Sequence, residues 1–556
     1  MEIPSNIINN GMVRGKRVIK KRSFPLGRKN FFRLTNGDTL DVHVVFCEGV
    51  CPQQVLLVVE PIHLKDTIPF QVLLKQNMGR YEGVAQFTQS GVYRFKTCYE
   101  LAGAWYWDNK PYAYVIVDPK GVRDIRQYIF LPVASGHFGD WSNDLKRIHD
   151  LGFNTIHLLP LTEMGQSESP YAADDLLKID AVYLDPQVRA DGVSQLKAFV
   201  SEVKRLGMRL CIDLVLNNVG ISNRLCSLKP EWFCEDLKEK DGIKRGGWSD
   251  EKKWHKWLDL ACLDYNSPNT RVRRELWQYM TDYALFWTGF AAETGGIIRL
   301  DNLHSGNEAF MRHVLSEIRG LFPEIIIQAE LFEKEERIEK LVLDYGINLL
   351  LATPWEHKFV PELRTYIKYL HKKHKRLKYF IPVCSHDSKS PKEEFGDTRS
   401  TIPRLAVSSL MGSGPSGIVQ GIEFGLDKKI PFIGKRPREN FEIHAEFYQL
   451  IQEVNRLIKA DQVFQIAGNL RFIDGDHHAV LGAARTTKGS PDPVVFIFAN
   501  LDIFNKQRIN VKPEDHAFSL KGRTLKHVMG TGEFEFKEGV LSVLLEPCGI
   551  RVLRVV

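Results

Sequence analysis

The sequence predicts an α/β protein, a (β/α)8 TIM barrel set between an N-terminal and a C-terminal β-sandwich. Three observations predict it. Strand-like runs broken by Gly, Pro and Asn fill the chain up to about Pro119 and return from about Asp461. Between them, eight apolar runs alternate with amphipathic helical segments, which implies a parallel sheet covered by helices. Finally, four of those eight runs end in acidic residues, as expected where strand ends open onto one shared rim. The implied division is 1–119, 120–460 and 461–556.

In the first part, LDVHVVF, QVLLVVE and GVYRFKTCYE read as strands of a small antiparallel sandwich. The start, MEIPSNIINNG, lacks the basic and apolar stretches of a secretory signal. The basic run RGKRVIKKR, Arg14 to Arg22, reads as a solvated arm. The aromatic cluster Trp105, Tyr106 and Trp107 reads either as an interface with the barrel or as a stacking surface for a ligand.

The eight central runs are YIFLPV, TIHLLPL, RLCIDLVLN, GIIRLD, EIIIQAEL, INLLLATPW, YFIPVCSHD and SGIVQGIEF. Segments such as LKRIHDLG, SQLKAFVSEVKRLG and FMRHVLSEIRGLF separate them with helical spacing. An open doubly wound sheet is the competing topology, but it usually carries a Gly-rich phosphate turn after its first strand, and none follows here.

The third run ends in Asp213 and Asn217, the fourth in Arg299 and Asp301, the fifth in Glu330, the seventh in His386 and Asp387. One charged strand end is ordinarily structural; four acidic ends on one rim point to chemistry. Glycoside cleavage uses clustered carboxylates without a metal. One attacks or stabilises the anomeric carbon, and a second, kept protonated, donates to the leaving oxygen. Arg299 and Asp301 are two apart and share a strand face, so the guanidinium is expected to keep Asp301 ionised as a nucleophile. Glu330, among apolar neighbours and near another carboxylate, is expected to be raised and to serve as general acid. His386 and Asp387 supply a donor and an acceptor for sugar hydroxyls. His304, in the loop beyond Asp301, reads equally as a sugar contact or a surface histidine.

With these residues in view the chain resembles the α-amylase superfamily (glycoside hydrolase family 13). The resemblance rests on four short regions in order, CIDLVLNN, IIRLDNLH, IIQAELF and VCSHD. Within that family RLDNLHS, AELF and NTIHLLPLTEMGQSESPY are most similar to the glucanotransferase half of glycogen debranching enzymes. SESPY is also similar to a turn of amylomaltases, which are 4-α-glucanotransferases.

The resemblance implies Asp301 as nucleophile through a β-linked glucosyl-enzyme, Glu330 as acid and then base, and Asp387 as stabiliser of the distorted sugar. It implies Arg299, His386, Asp213, Asn217 and Tyr171 as the substrate-binding shell, with Tyr171 stacking on the reacting ring. One departure stands out: the first region normally ends Asn-His and here ends Asn217-Asn218. A neutral imidazole donor is missing there, which keeps a non-catalytic reading open.

The insertion from Gly220 to about Leu260 carries Trp248, Trp254 and Trp257, which read as sugar platforms or as the excursion's own small core. The closing part, with HAVLGAAR, PVVFIFANLD and GVLSVLLEPCGIRVLRVV, again reads as a sandwich.

A net charge of +7 over 556 residues gives no push toward nucleic acid, and no apolar run reaches the length of a membrane span. Nine dispersed cysteines suggest reduced thiols in the cytoplasm rather than a disulfide or metal framework. No cofactor and no metal site is implied, and the expected partner is an α-glucan or malto-oligosaccharide substrate. The resulting expectation is a retaining 4-α-glucanotransferase. An α-amylase-like hydrolase of α-1,4 or α-1,6 bonds and a non-catalytic glucan-binding protein are the alternatives.

Overall fold

A computed structural model describes residues 13–14, 18–63, 67–249, 253–487 and 492–556. The chain forms two compact units. One comprises Met1–Lys120, Glu308–Ile326 and Phe332–Asn348, and the other Gly121–Asn307, Ile327–Leu331 and Leu349–Val556.

In the first unit, ten strands among the described residues form one sheet that turns back on itself. The turning strand is Phe70–Asn77, which pairs with Gln54–Ile62 on one side and Arg80–Gln86 on the other. Alternation drives the packing: along Thr39–Phe46, Val42, Val44 and Phe46 are buried while the residues between them are not. Phe46 meets Tyr99 of the facing layer edge-on at 5.3 Å, within one sandwich core. Tyr106 stacks on Tyr99 at 5.9 Å and so packs against this core. The solvated-arm reading fails at the end of the basic run. Ile19–Arg22 is a strand paired with Thr39–Phe46, and Arg22 is buried in an ion pair with Asp108. Residues 15–17 of that run, and MEIPSNIINNG, lie outside the described residues.

The second unit is built on a closed parallel barrel. Its strands are β1 (Arg126–Phe130), β2 (Thr155–Leu158), β3 (Arg209–Leu214), β4 (Ile297–Leu300), β5 (Ile326–Ala329), β6 (Leu349–Leu351), β7 (Tyr379–Pro382) and β8 (Ser416–Val419). They coincide with the eight runs read from the sequence. The runs are almost unbroken in apolarity because such strands are buried on both faces. In chain order each strand is followed by a helix: α1 (Phe138–Asp150), α2 (Gly192–Arg205), α3 (Thr270–Ala292), α4 (Glu308–Leu321), α5 (Glu335–Tyr345), α6 (Val360–Lys373), α7 (Thr401–Leu405) and α8 (Ala445–Ala460), of which α4 and α5 are counted in the first unit. Side-chain caps start two of them. Asp191 accepts from the Ser194 amide before α2, and Asn269 accepts from the Arg271 and Val272 amides before α3.

Beyond β3 the insertion forms a three-stranded sheet of Asn218–Gly220, Trp254–Cys262 and Arg245–Ser249. After α8 come a five-stranded and a three-stranded sheet around a common core that includes Phe496, Phe498, Leu541 and Val543. This sandwich is keyed to the barrel through Arg485, whose buried guanidinium donates to the carbonyls of Leu410, Val463, Ile466 and Gly412 and to Asn469 Oδ1. All nine cysteines are free thiols. Among the described residues no helix is long and apolar enough to cross a membrane.

Candidate active site

Strand β3 brings Asp213 into register with Arg299 of β4. Asp301 and Glu330 stand just past the ends of β4 and β5. Their backbones remain in the ladder: the Asp301 amide donates to Leu214 O at 3.1 Å and the Glu330 amide to Leu300 O at 3.0 Å. Both side chains therefore emerge at one mouth, the carboxyl ends of the strands.

Arg299 is the hub. One terminal nitrogen lies 2.6 Å from Asp301 Oδ1 and 3.3 Å from Asp213 Oδ1, and the other lies 2.9 Å from Glu330 Oε2. The two outer carboxyls are thus no farther apart than one guanidinium and two hydrogen bonds. Asp301 and Glu330 each keep 16% of the side chain exposed, whereas Arg299 keeps 3% and Asp213 none. Glu330 Oε2 also accepts the Asn302 amide at 2.9 Å. Asn302 is in the left-handed region, φ 43°, a conformation asparagine tolerates, and this turns its N–H toward the carboxylate.

The electrostatics differ from the sequence expectation. Burial pushes the Asp301 carboxyl well above the usual carboxylate range, and Glu330, Asp213 and Asp387 push it further against the pull of Arg299. The main physical reason is burial; crowding adds to it, because one guanidinium shared among three carboxylates does not neutralise them all. Asp213 goes the other way. Burial opposes its charge, but Arg299, then His157, hold it far below the ordinary range. Burial works against the Arg299 charge too, yet its three carboxylate neighbours keep it firmly protonated.

Tyr171 donates its hydroxyl to Asp213 Oδ2 at 2.8 Å and lies 2.8 Å from His386 Nε2, its ring parallel to the imidazole with centroids 5.8 Å apart. His386 Nε2 is also 3.1 Å from Asp387 Oδ2. Burial lowers the His386 pKa, outweighing the opposing pull of Asp387. Asp387 itself is half-exposed at the rim.

Three residues of the expected substrate-binding shell make contacts within the protein. Arg299 and Asp213 face the carboxylate cluster from beneath, and Asn217 Nδ2 donates to Asn302 O at 2.8 Å, bracing the turn that aims the Asn302 amide. His304 sits half-buried in the Leu303–Ser305 turn next to it. Asn218 is buried in the insertion sheet, its Oδ1 without a hydrogen-bond partner among the described residues. Trp248 and Trp254 are about half-exposed on the insertion hairpin, and Trp248 lies parallel to His255 at 4.4 Å. Residues 250–252 of that hairpin lie outside the described residues.

Other participants escaped the sequence reading. His157 of β2 lies 3.3 Å from Asp213 Oδ1, and its other ring nitrogen is 3.2 Å from Gln127 Nε2 of β1. Both are buried: His157 lies within the apolar run TIHLLPL, and Gln127 immediately precedes YIFLPV. Lys429 donates to the carbonyls of His386 and Asp387 at 3.2 and 3.1 Å, and Phe432 packs edge-on against both His386 and Tyr171. Nothing in their local sequence marks these two.

Comparison with known proteins follows the same line. Residues 125–233 match the model of the glycogen debranching enzyme glucanotransferase domain. An α-1,4-glucan:maltose-1-phosphate maltosyltransferase of Rhodospirillum rubrum is 22% identical over 427 residues, covering 70% of this chain and 58% of the relative. The chain thus spans a little under three fifths of the length of that relative. An intracellular maltogenic amylase of Bacillus subtilis is 25% identical over 202 residues, 34% of this chain and 30% of the relative. Among solved structures, the debranching enzyme of Nostoc punctiforme superposes with a TM-score of 0.60 at 16% identity, covering 79% of this chain and 99% of that one. A cyclomaltodextrinase reaches 0.63 at 14% identity over 96% and 99%. At these identities the structural likeness is one of fold.

Fold and site together define a protein with a (β/α)8 barrel, β-sandwiches earlier and later in the chain, and a multi-carboxylate cluster at the barrel mouth. Over residues 125–233 the chain is similar to the glucanotransferase domain of glycogen debranching enzymes, and its fold is similar to those of amylases and debranching enzymes.

Proposed function

We propose that this chain is a retaining α-glucan-active enzyme, a 4-α-glucanotransferase working on glycogen-like or malto-oligosaccharide chains in the cytoplasm. The observation that carries the reading is the pair Asp301 and Glu330, both partly exposed at the barrel mouth and both gripped by Arg299. Retaining glycosidases place their two carboxyls about 5 Å apart, and inverting ones leave about 6.5–9.5 Å for a water. Two carboxyls held by one guanidinium favour the shorter spacing. The match of residues 125–233 to a glucanotransferase domain supports the same choice.

In this mechanism the Asp301 carboxylate attacks the anomeric carbon as Glu330 passes its proton to the departing glycosidic oxygen. A β-linked glycosyl ester on Asp301 results. Glu330, now ionised, takes the proton of an incoming sugar hydroxyl, which attacks the ester and restores the α-linkage. The reaction needs the pair's proton on Glu330. Positive charge developing at the anomeric carbon beside Asp301 favours the negative charge there, against the burial and neighbouring carboxylates that raise the Asp301 pKa. Asp387, exposed beside His386, grips the hydroxyls of the distorted ring. Tyr171, locked by Asp213 and His386, forms a wall of the subsite.

Incubation of the pure protein with maltoheptaose, with products resolved by length, tests this. Products both longer and shorter than the input are expected. Shortening alone, with new reducing ends, would assign hydrolysis to the same intermediate. Binding without any change in chain length would overturn the enzymatic reading in favour of a glucan-binding protein.

A further inference from the structure

At the opposite end of the barrel from the carboxylates lies a cleft of about 670 Å³. Its walls come from the turn before β1, the α6–β7 connection, the turn before β8 and the first loops of the C-terminal sandwich. Arg123, His374, Lys378 and Arg471 line it together with Asn469 and Thr486, and no carboxylate lines it among the described residues.

We propose that this cleft binds a small phosphorylated ligand. The volume falls in the range of small-molecule sites, about 300–1,000 Å³, which argues against a flat macromolecular surface. The sign of the charge argues for an anion. Neither Arg123 nor Arg471 makes an ion pair or a side-chain hydrogen bond among the described residues. Arg471 instead lies over the Phe518 ring at 5.5 Å. A guanidinium over an aromatic face is steadied there without spending its N–H groups on a protein acceptor, which leaves them for a phosphate. Asp124, next to Arg123, is taken up by Arg126, and Asp461 by Arg554.

The bland explanation of the basic residues is the helix dipole. His371, Lys372 and Lys373 crowd the last turn of α6, where cations are favoured. That accounts for the helix end, and His374 caps it by contacting the His371 carbonyl at 2.7 Å. It does not account for Arg123 and Arg471, which reach the same cleft from two other elements.

The cleft is also firmly built. Buried His371 is pushed down to about 3 by burial, so it is neutral. It spans Met411 O at 2.9 Å and the Gly468 amide at 3.0 Å. Gly468 is left-handed, φ 81°, and a side chain there would run into the His374 ring, so the loop needs glycine to close over the imidazole. Asn469 is fixed by its bonds to Val463 O and Thr486 O at 3.0 and 2.9 Å. A ligand here would bridge the barrel and the C-terminal sandwich.

The test is calorimetric titration of the full-length protein, with thermal melting in parallel, at constant ionic strength. The probes are glucose 6-phosphate, inorganic phosphate and glucose. Saturable binding of glucose 6-phosphate, displaced by inorganic phosphate and absent with glucose, is expected, with a melting temperature that climbs with ligand concentration. Tighter binding of the sugar phosphate assigns the cleft to a phosphorylated sugar; equal binding assigns it to the free anion. Arg123→Glu and Arg471→Glu should each weaken binding by more than about tenfold, as loss of charge-assisted hydrogen bonds does. Glucan turnover without phosphate should be unchanged in both. Arg123 is exposed in a turn, so its variant keeps the test open should Arg471→Glu fold poorly. No saturable response to either phosphate, affinity unaltered in both variants, or binding to duplex DNA or anionic vesicles that phosphate does not displace would overturn the proposal.

Discussion

Asp301 and Glu330 are bound to the two terminal nitrogens of one guanidinium, at 2.6 and 2.9 Å from Arg299. Only a planar, forked cation can hold two carboxyls at a fixed mutual angle from a buried position. Arg299→Lys keeps the charge and loses the fork. It is expected to lower kcat for maltoheptaose by about 100-fold or more, the cost of misplacing reacting groups by about 1 Å. KM should change far less. Steady-state kinetics on the purified variant check the split, and near-native kcat would show that the fork is dispensable.

Asp301 is the crowded carboxyl, and this has a consequence for stability. Its folded pKa lies above the unfolded value of about 3.9. Below that value the group is neutral in both states and carries no penalty. As pH rises through the raised folded pKa, the native state must accept a buried negative charge beside Glu330, Asp213 and Asp387, and stability falls. Asp301→Asn removes that charge and leaves Arg299 two carboxylate partners. The variant should melt higher than the parent at pH 8, with the gain vanishing near pH 4, while turnover drops by at least about 10⁴-fold and glucan binding persists. Melting curves at the two pH values, with turnover alongside, decide it. A variant less stable than the parent at pH 8 would remove the crowding argument.

Particular residues show what a sequence can reveal here and what it hides. The barrel strands were legible because strands buried on both faces are written as runs such as GIIRL and EIIIQA. Asp213, Asp301, Glu330 and Asp387 stood out because charge closing an apolar run is costly without a purpose. His157 stayed hidden because its partner Asp213 lies on another strand, and no local pattern links the two. The direction of the Asp301 shift is hidden in the sequence because Arg299 is its neighbour there, whereas the burial that dominates it, and Glu330 and Asp387, arrive only when the barrel closes. The basic stretch from His371 to Lys378 carries no local mark that sets it apart from a solvated helix end. Its significance depends on Arg123 and Arg471 arriving from far away in the chain.

Asp213 gives the opposite pH signature. Its folded pKa is depressed, so its contribution is present above the unfolded value of about 3.9 and is lost as pH falls toward the folded one. Asp213→Asn breaks the contacts with Arg299 and His157 and weakens the Tyr171 anchor. A loss of about 3–5 kcal/mol at pH 7 is expected, the usual cost of leaving a buried charge partner unmatched. The gap from the parent should narrow below about pH 4. Urea unfolding at pH 7 and pH 3.5 measures both, and a pH-independent gap would mean that packing rather than charge dominates at this position.

Arg485 makes the last prediction, because it is a fully buried guanidinium with no carboxylate partner among its hydrogen bonds. Burial lowers its pKa to about 9, with Asp461 pulling weakly the other way, so it remains charged at neutral pH. It is tolerated because carbonyls on both sides converge on it: Leu410 and Gly412 from the end of the barrel, Val463 and Ile466 from the chain leading into the sandwich. Arg485→Leu fills part of the volume but strands those acceptors away from water. Each buried acceptor left unsatisfied costs about 1–3 kcal/mol, so the variant should lose several kcal/mol and expose the join between barrel and sandwich. Urea unfolding reports the loss, and hydrogen exchange should show residues 463–469 and 410–412 opening together. If Arg485→Leu instead unfolds like the parent while those segments stay protected, the guanidinium is not what fastens the sandwich to the barrel.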